Sequence, residues 1–228
     1  MLAIAHRGAS GHEPENTLRS VAYAIALGTD WIEIDVQFVD GELILLHDDT
    51  LDRTTNGSGI AAEQSFDYLR TLNAGKGEKI PTLIEVMDLI GARVGLNIEL
   101  KGGGVVDPVA TLVSDYQDRR PAWHGRIMLS SFDQSQIAEL AAHERDFRLG
   151  LAFEDDAESA LTRAGDLNAY SINPSMAQVT AELVAEAHAA GMKVFVFTVN
   201  EPEDIVAMQK LDVDGVFSDY PDRVIALR

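Results

Sequence analysis

Short apolar or β-branched runs alternate with amphipathic stretches along the entire chain, and this rhythm constrains its fold more than any other feature. The runs cover residues 2–5, 31–36, 95–100, 126–130, 148–153, 169–172, 193–199 and 215–217. Helical patterns follow at 16–27, 82–90, 105–116, 134–142, 157–163, 180–190, 202–211 and 220–227. Pro108 and Pro202 sit near helix starts, Asp133 and Thr180 can cap, and Gly191 follows its helix. One further run, residues 42–47, breaks the alternation. Only Asp40-Gly41 separates it from Val36–Val39, and that dipeptide signals a two-residue hairpin. A parallel crossover needs a dozen or more residues, so this run is an antiparallel arm. Without it, eight strand–helix units remain in 228 residues. The expectation is an α/β chain folded as one TIM (β/α)8 barrel over residues 1–228, with a small hairpin and loop insertion after the second strand, at about 40–80. An open doubly wound sheet is the runner-up, but Gly8 and Gly11 do not complete its G-x-G-x-x-G fingerprint.

In a barrel, chemistry gathers at the carboxyl ends of the strands. Glu33 and Asp35 lie two residues apart in Trp31-Ile32-Glu33-Ile34-Asp35-Val36, so both face one side of a strand whose apolar residues face the other. Two buried like charges repel unless something sits between them. Glu99 and Lys101 repeat the spacing in Asn97-Ile98-Glu99-Leu100-Lys101. Neighbouring barrel strands would bring Glu33, Asp35 and Glu99 together as a hard-oxygen site for Mg²⁺, Ca²⁺ or Mn²⁺ rather than zinc. Spacing alone supports equally a metal-free network in which these acids pair with Arg7 and Lys101. His6 ends the first run and His47 ends the arm, and two imidazoles can act as base and acid near neutral pH. Arg7 and Lys101 suit an anion, Arg with a fork that matches phosphate oxygens. Together these groups suit phosphoryl chemistry.

Composition narrows the partners. The formal net charge of −19 argues against a general nucleic-acid binder, yet a cation and local basic groups can still reverse the sign inside one pocket. There is no cysteine, which removes disulfides, thiolate catalysis and zinc–thiolate sites. No apolar run is long enough to cross a bilayer, and Met1 to Arg7 carries no basic leader. A cytoplasmic protein without stable membrane association is expected; its oligomeric state is not specified. Asn16 reads as a helix cap, Glu15 as a group able to orient a neighbour, and His12, His124, His143 and His188 as loop or helix surface. Of Phe153, Phe195 and Phe197, at least two are expected to fill the barrel.

These residues carry a resemblance. His6-Arg7-Gly8-Ala9-Ser10-Gly11 followed by Pro14-Glu15-Asn16-Thr17 resembles the opening signature of the glycerophosphodiester phosphodiesterase family. The likeness continues through Glu33-x-Asp35, His47-Asp48, Ile80-Pro81-Thr82-Leu83, Asn97-Ile98-Glu99-Leu100-Lys101 and Ser130-Ser131-Phe132-Asp133. It closes with Phe197-Thr198-Val199-Asn200 and Asp214-Gly215-Val216-Phe217-Ser218-Asp219-Tyr220-Pro221. The resemblance implies a TIM barrel that hydrolyses a small glycerophosphodiester to glycerol 3-phosphate and an alcohol. It implies His6 and His47 as the acid–base pair, Glu33, Asp35 and Glu99 as ligands of one divalent cation, and Arg7 and Lys101 as phosphate contacts. Phe197 stands where that family usually carries tryptophan, which implies a role in binding substrate and a changed preference for the alcohol. The short segment from Leu72 to Lys79 implies a smaller cap and a more open site. A lysophospholipase D-like phosphodiesterase acting on lysophospholipids is the alternative, against which stands the lack of a basic amphipathic helix. A binding protein on a decayed barrel is the non-enzyme alternative, and the complete set of acid, base and cation positions argues against it.

Overall fold

The strand–helix alternation winds the chain into a closed barrel. The computed structural model describes residues 1–143, 145 and 147–228. Strand β1 is Leu2–Ala5, and helix α1, Leu18–Leu27, leads to β2, Trp31–Val39. The arm is β3, Glu42–Leu45, and a short helix α2, Phe66–Leu69, lies within the insertion. Then follow α3 (Leu83–Ile90), β4 (Gly95–Leu100), α4 (Val106–Arg119), β5 (Ile127–Ser131), α5 (Gln134–Ala141) and β6 (Arg148–Phe153). The chain closes with α6 (Ala157–Asp166), β7 (Ser171–Pro174), α7 (Ala181–Ala189), β8 (Lys193–Val196), α8 (Pro202–Lys210), β9 (Gly215–Ser218) and α9 (Pro221–Ala226). All strands but β3 pair in parallel, in the order β1-β9-β8-β7-β6-β5-β4-β2, and β1 with β2 closes the ring. This is the TIM barrel expected from the alternation.

Local chemistry explains the elements. Thr17 and Ser20 form a capping box on α1, and Thr82 and Glu85 form another on α3. Asp40 and Gly41 have φ of 49° and 84°, the left-handed pair that a tight hairpin requires, and β3 pairs antiparallel with β2 from Val36↔Leu45 to Val39↔Glu42. Along β2, Ile32, Ile34 and Val36 join the apolar layer between strands and helices, together with Ile98, Leu100, Val86 and Val109. A second such cluster, including Leu151, Val194, Val184 and Ile205, covers the other half of the ring. The opposite face of β2 therefore points Glu33, Asp35 and Gln37 into the barrel. Inside, Ile4, Met128, Phe195 and Phe217 plug the lumen beneath the site, and Phe197 packs against them. A separate small cluster, among it Ile44, Leu51, Leu69 and Ile80, holds the insertion together.

Several expected boundaries shift. The sixth barrel strand, β7, begins at Ser171 rather than 169 and runs on through Pro174. Strand β8 stops at Val196 rather than 199, although single hydrogen bonds to the same two neighbours continue beyond it: Phe197 N–H donates to the Pro174 carbonyl of β7 at 3.1 Å, and Val199 N–H donates to the Phe217 carbonyl of β9 at 2.8 Å. Asn16 does not cap α1. Its φ of 54° is left-handed, which Asn tolerates, and Thr17 is the cap. Helix α2 carried no periodic signal, since four residues span barely one turn. Phe195 fills the barrel and Phe197 packs at its edge, whereas Phe153 joins the outer layer with Ala160 and Ala164.

Candidate active site

The strand ends surround a cavity of about 250 Å³, lined on one side by His6, Arg7, Glu33, Asp35, His47, Glu99 and Lys101. Phe132, Phe197 and Phe217 line the facing side. Every site residue expected from sequence therefore reaches one cavity.

The register of β2 and β4 makes the acid cluster. Asp35 and Glu99 are directly paired across the two strands, and Glu33 lies one inward position below Asp35. One carboxylate oxygen from each of Glu33, Asp35 and Glu99 lies within 4.8 Å of the others. Glu33 and Asp35 are each only 1% exposed. Asn16, misread as a cap, is what holds Asp35: its Nδ2 donates to Asp35 Oδ2 at 2.8 Å, and Asp35 N–H donates to Asn16 Oδ1 at 3.1 Å. Arg7 N–H donates to Glu33 Oε2 at 2.7 Å. The next residue, Gly8, has a left-handed φ of 77° and lies against α1, where a Cβ would come 2.4 Å from Ser20 Oγ.

The metal-free network is present in part. Arg7 Nε lies 3.3 Å from Asp35 Oδ2, Lys101 Nζ lies 3.5 Å from Asp35 Oδ1, and Lys101 also pairs with Glu99. It does not satisfy the cluster. Among the described residues, Glu33 Oε1 is buried with no hydrogen-bond partner. Burial above all, then the charges of Asp35 and Glu99, push the Glu33 pKa well above the usual carboxylate range. Burial and Asp35 likewise raise that of Glu99. An unpaired oxygen beside two further carboxylates fits a hard divalent cation, which would neutralise the crowded charge. The Arg7 pKa is raised: burial opposes its charge, and Asp35, Glu33 and Glu15 outweigh burial. Lys101 is raised in the same way, chiefly by Glu99 and Asp35 against burial.

Each imidazole is oriented by a carboxylate. His6 Nδ1 lies 2.7 Å from Asp219 Oδ1, and Asp219 also accepts from Ser10 Oγ at 2.8 Å and Asn200 Nδ2 at 2.7 Å. Burial works against the charge of Asp219, yet hydrogen bonds from His6, Asn200 and Ser10 hold its pKa well below the usual range. His47 Nδ1 lies 2.7 Å from Asp48 Oδ1. Hydrogen bonds from Arg53 outweigh burial and, with that of His47, keep the Asp48 pKa low. An ionised carboxylate only accepts, so Nδ1 of each ring carries the hydrogen and Nε2 remains to exchange a proton. Gln37, the inward residue after Asp35 on β2, fixes the arm: its Nε2 donates to the carbonyls of Leu46 at 3.0 Å and Asp48 at 2.8 Å, flanking His47.

Sequence reading assigned no role to Asp48, Asp219, Gln37 or Arg53. Asp48 carried a local signal, an acid adjacent to a strand-end histidine. Asp219 is 213 positions from His6, and only closure of the ring joins them. Glu15 does orient a neighbour: it accepts from Arg7 Nη1 at 2.8 Å. His12, His143 and His188 pair with Asp222, Asp107 and Asp214 away from the cavity, and His124 is exposed. On the facing wall the Phe132 and Phe197 rings meet edge to face at 5.3 Å, and Lys101 Nζ sits 5.1 Å from the Phe132 centroid.

A family model described as the glycerophosphoryl diester phosphodiesterase family matches residues 6–223. The chain belongs to this family. The matched span runs from His6 to Arg223 and so includes both imidazoles, the three acids and Asp219. A glycerophosphodiester phosphodiesterase of Caldanaerobacter subterraneus is 35% identical over 99% of this chain and 97% of its own. A solved Oleispira antarctica phosphodiesterase, in complex with the product sn-glycerol-3-phosphate, is 31% identical with a TM-score of 0.90, covering 100% of this chain and 96% of that one. A glycerophosphodiester phosphodiesterase of Agrobacterium tumefaciens is 30% identical with a TM-score of 0.86, covering 99% and 100%. Among the described residues, no helix of this family member is long and apolar enough to cross a membrane.

Proposed function

We propose that the protein is a divalent-cation-dependent phosphodiesterase that hydrolyses glycerophosphodiesters to glycerol 3-phosphate and an alcohol. The observation that carries this reading is one cavity bounded by two carboxylate-oriented imidazoles and by three converging carboxylates. Membership of the family, and a relative bound to sn-glycerol-3-phosphate, support it.

In this reading Glu33, Asp35 and Glu99 hold one cation, Mg²⁺ or Ca²⁺ with Mn²⁺ as the third choice. When bound, it supplies charge neutralisation to the phosphoryl oxygens and polarises phosphorus. Arg7 and Lys101 bind the non-bridging phosphate oxygens, where charge grows toward the transition state. The Nε2 atom of one imidazole takes the proton of the attacking O–H. The Nε2 of the other gives a proton to the departing alcohol oxygen, so the pair ends with its proton count unchanged. Water and the substrate's own glycerol hydroxyl both suit this exchange as nucleophile, and trapping of a cyclic phosphate distinguishes them. Phe197 and Phe132 form the apolar wall for the organic part of the diester. The same reading takes residues 1–228 as one catalytic domain working in the cytoplasm, without nucleic acid or stable membrane association.

The test is a product assay with glycerophosphocholine, glycerophosphoethanolamine and lysophosphatidylcholine, each with Mg²⁺, Ca²⁺, Mn²⁺ or EDTA. Glycerol 3-phosphate should appear from the water-soluble diesters and cease with EDTA. Hydrolysis undiminished by EDTA would reject the cation role. Preference for the lysophospholipid would move the reading to a lysophospholipase D-like activity.

A further inference from the structure

Arg53 does not line the cavity, yet it joins both halves of it. It lies in the insertion after β3, and its side chain is 47% exposed. Its Nε and Nη2 donate to Asp48 Oδ2 and Oδ1 at 2.6 and 2.8 Å. Its Nη1 and Nη2 donate to Glu15 Oε2 and Oε1 at 2.6 and 2.9 Å. Each carboxylate then reaches a cavity residue: Asp48 Oδ1 meets His47 Nδ1 at 2.7 Å, and Glu15 Oε1 accepts from Arg7 Nη1 at 2.8 Å. A continuous chain therefore runs from His47 through Asp48, Arg53 and Glu15 to Arg7.

We propose that Arg53 is a positioning residue that fixes the His47 ring through Asp48 and the Arg7 guanidinium through Glu15, locking the insertion to the barrel rim. The planar fork suits this task. Two edges of one guanidinium engage two carboxylates in bidentate fashion, and its charge lets those two like charges stand close together. A lysine would offer a point charge without the two-edged geometry. An exposed ion pair ordinarily contributes little to folding stability, so the arrangement's main consequence is geometric. Asp48 sits next to His47 in sequence and on a loop, so without Arg53 its carboxylate has no second anchor on its side-chain oxygens among the described residues.

The inference rests on the proposed acid–base role of His47, and the experiment separates the two. The variants are Arg53→Gln, Arg53→Lys, Asp48→Asn and Arg53→Gln/Asp48→Asn, assayed on glycerophosphoethanolamine with saturating Mg²⁺. Arg53→Gln should lower kcat roughly 10- to 100-fold, as expected of a small misplacement of a reacting group, and raise KM through Arg7. Arg53→Lys keeps the charge and should recover only part of the loss. Because Arg53 acts through Asp48, the double variant should be within about twofold of the slower single variant. The second readout is the ¹⁵N spectrum of the His47 ring, recorded at a pH high enough that the ring is neutral: one tautomer with hydrogen on Nδ1 in the parent protein, a mixture in Arg53→Gln and Arg53→Lys. Parent-like kcat in Arg53→Gln, multiplicative losses in the double variant, or an unchanged ring spectrum would each overturn the inference. Should Arg53→Gln not fold, Arg53→Lys supplies both readouts. A parent protein that hydrolyses no diester, yet shows the tautomer shift, would sink the proposed function and leave the positioning role standing.

Discussion

The two imidazoles face one cavity but are supported in different ways. His6 follows β1, and its partner Asp219 follows β9, the strand hydrogen-bonded beside it. Asp219 is in turn held by Ser10 and Asn200, so three loops at the mouth of a closed ring fix one carboxylate. His47 stands on the antiparallel arm, its partner is its neighbour Asp48, and the next support is the half-exposed Arg53. The barrel half derives its rigidity from strand pairing. The arm half stands outside the ring: it pairs antiparallel with β2, packs Leu43 and Leu45 into the main apolar layer, and relies besides on Gln37, Arg53 and a small apolar cluster of its own. One half is thus fixed within the closed ring, and the other is a hairpin on β2 pinned further by Gln37 and Arg53, which makes the arm the part of the site most open to adjustment.

That contrast can be broken by experiment. Asp219→Asn should cut kcat by roughly 10²- to 10⁴-fold, because the amide no longer selects the His6 tautomer. Asp48→Asn should cost less, roughly 10- to 100-fold, since Gln37 still holds the backbone around His47. Steady-state kinetics on glycerophosphoethanolamine checks both, and equal losses would erase the distinction between the halves.

The acid cluster belongs to the barrel half and has its own signature. Without a cation, Glu33 has a folded-state pKa raised by burial and by Asp35 and Glu99. Its contribution to stability is fully present below the unfolded carboxylate value and is lost as pH rises through the raised value. A divalent cation should reverse that loss. The rise in Tm on adding Mg²⁺ or Ca²⁺ should therefore be small at about pH 4 and grow toward about pH 8, reaching about 2.7 kcal/mol of stabilisation at roughly 100 times Kd. Thermal unfolding with and without EDTA measures it; an increment independent of pH would contradict the burial argument.

The smallest effect on activity concerns packing. Ile98, buried between β4 and the helices, and Leu51, buried under the insertion, are both fully enclosed. Either alanine variant should lose about 2–5 kcal/mol where its surroundings do not relax. Hydrogen exchange after Leu51→Ala should rise chiefly in the insertion, and after Ile98→Ala throughout the barrel. A uniform rise in both would show that the arm unfolds only with the ring.

Much of this was legible because the relevant signals are periodic. The run 31–36 placed Glu33 and Asp35 on one face, and Asp40-Gly41 set β3 antiparallel; both arise from local backbone geometry. The acid cluster needed one further step, strand adjacency, which the barrel reading supplied. What was hidden is non-local or aperiodic. Asn16 looked like a cap because helix starts favour it, but its left-handed backbone turns the amide onto Asp35, a contact across 19 positions. Asp219 needed ring closure to reach His6. Arg53 lies in a loop with no repeating pattern, and its two carboxylates come from different segments.

The most direct test compares kcat for His6→Ala and His47→Ala with the parent protein, on a glycerophosphodiester at saturating cation, with unchanged melting curves as control. Both variants are expected to lose roughly 10²- to 10⁴-fold in glycerol 3-phosphate release. Near-normal turnover in both would contradict the acid–base pair and, with it, the reading of the site as two halves closing on one phosphodiester.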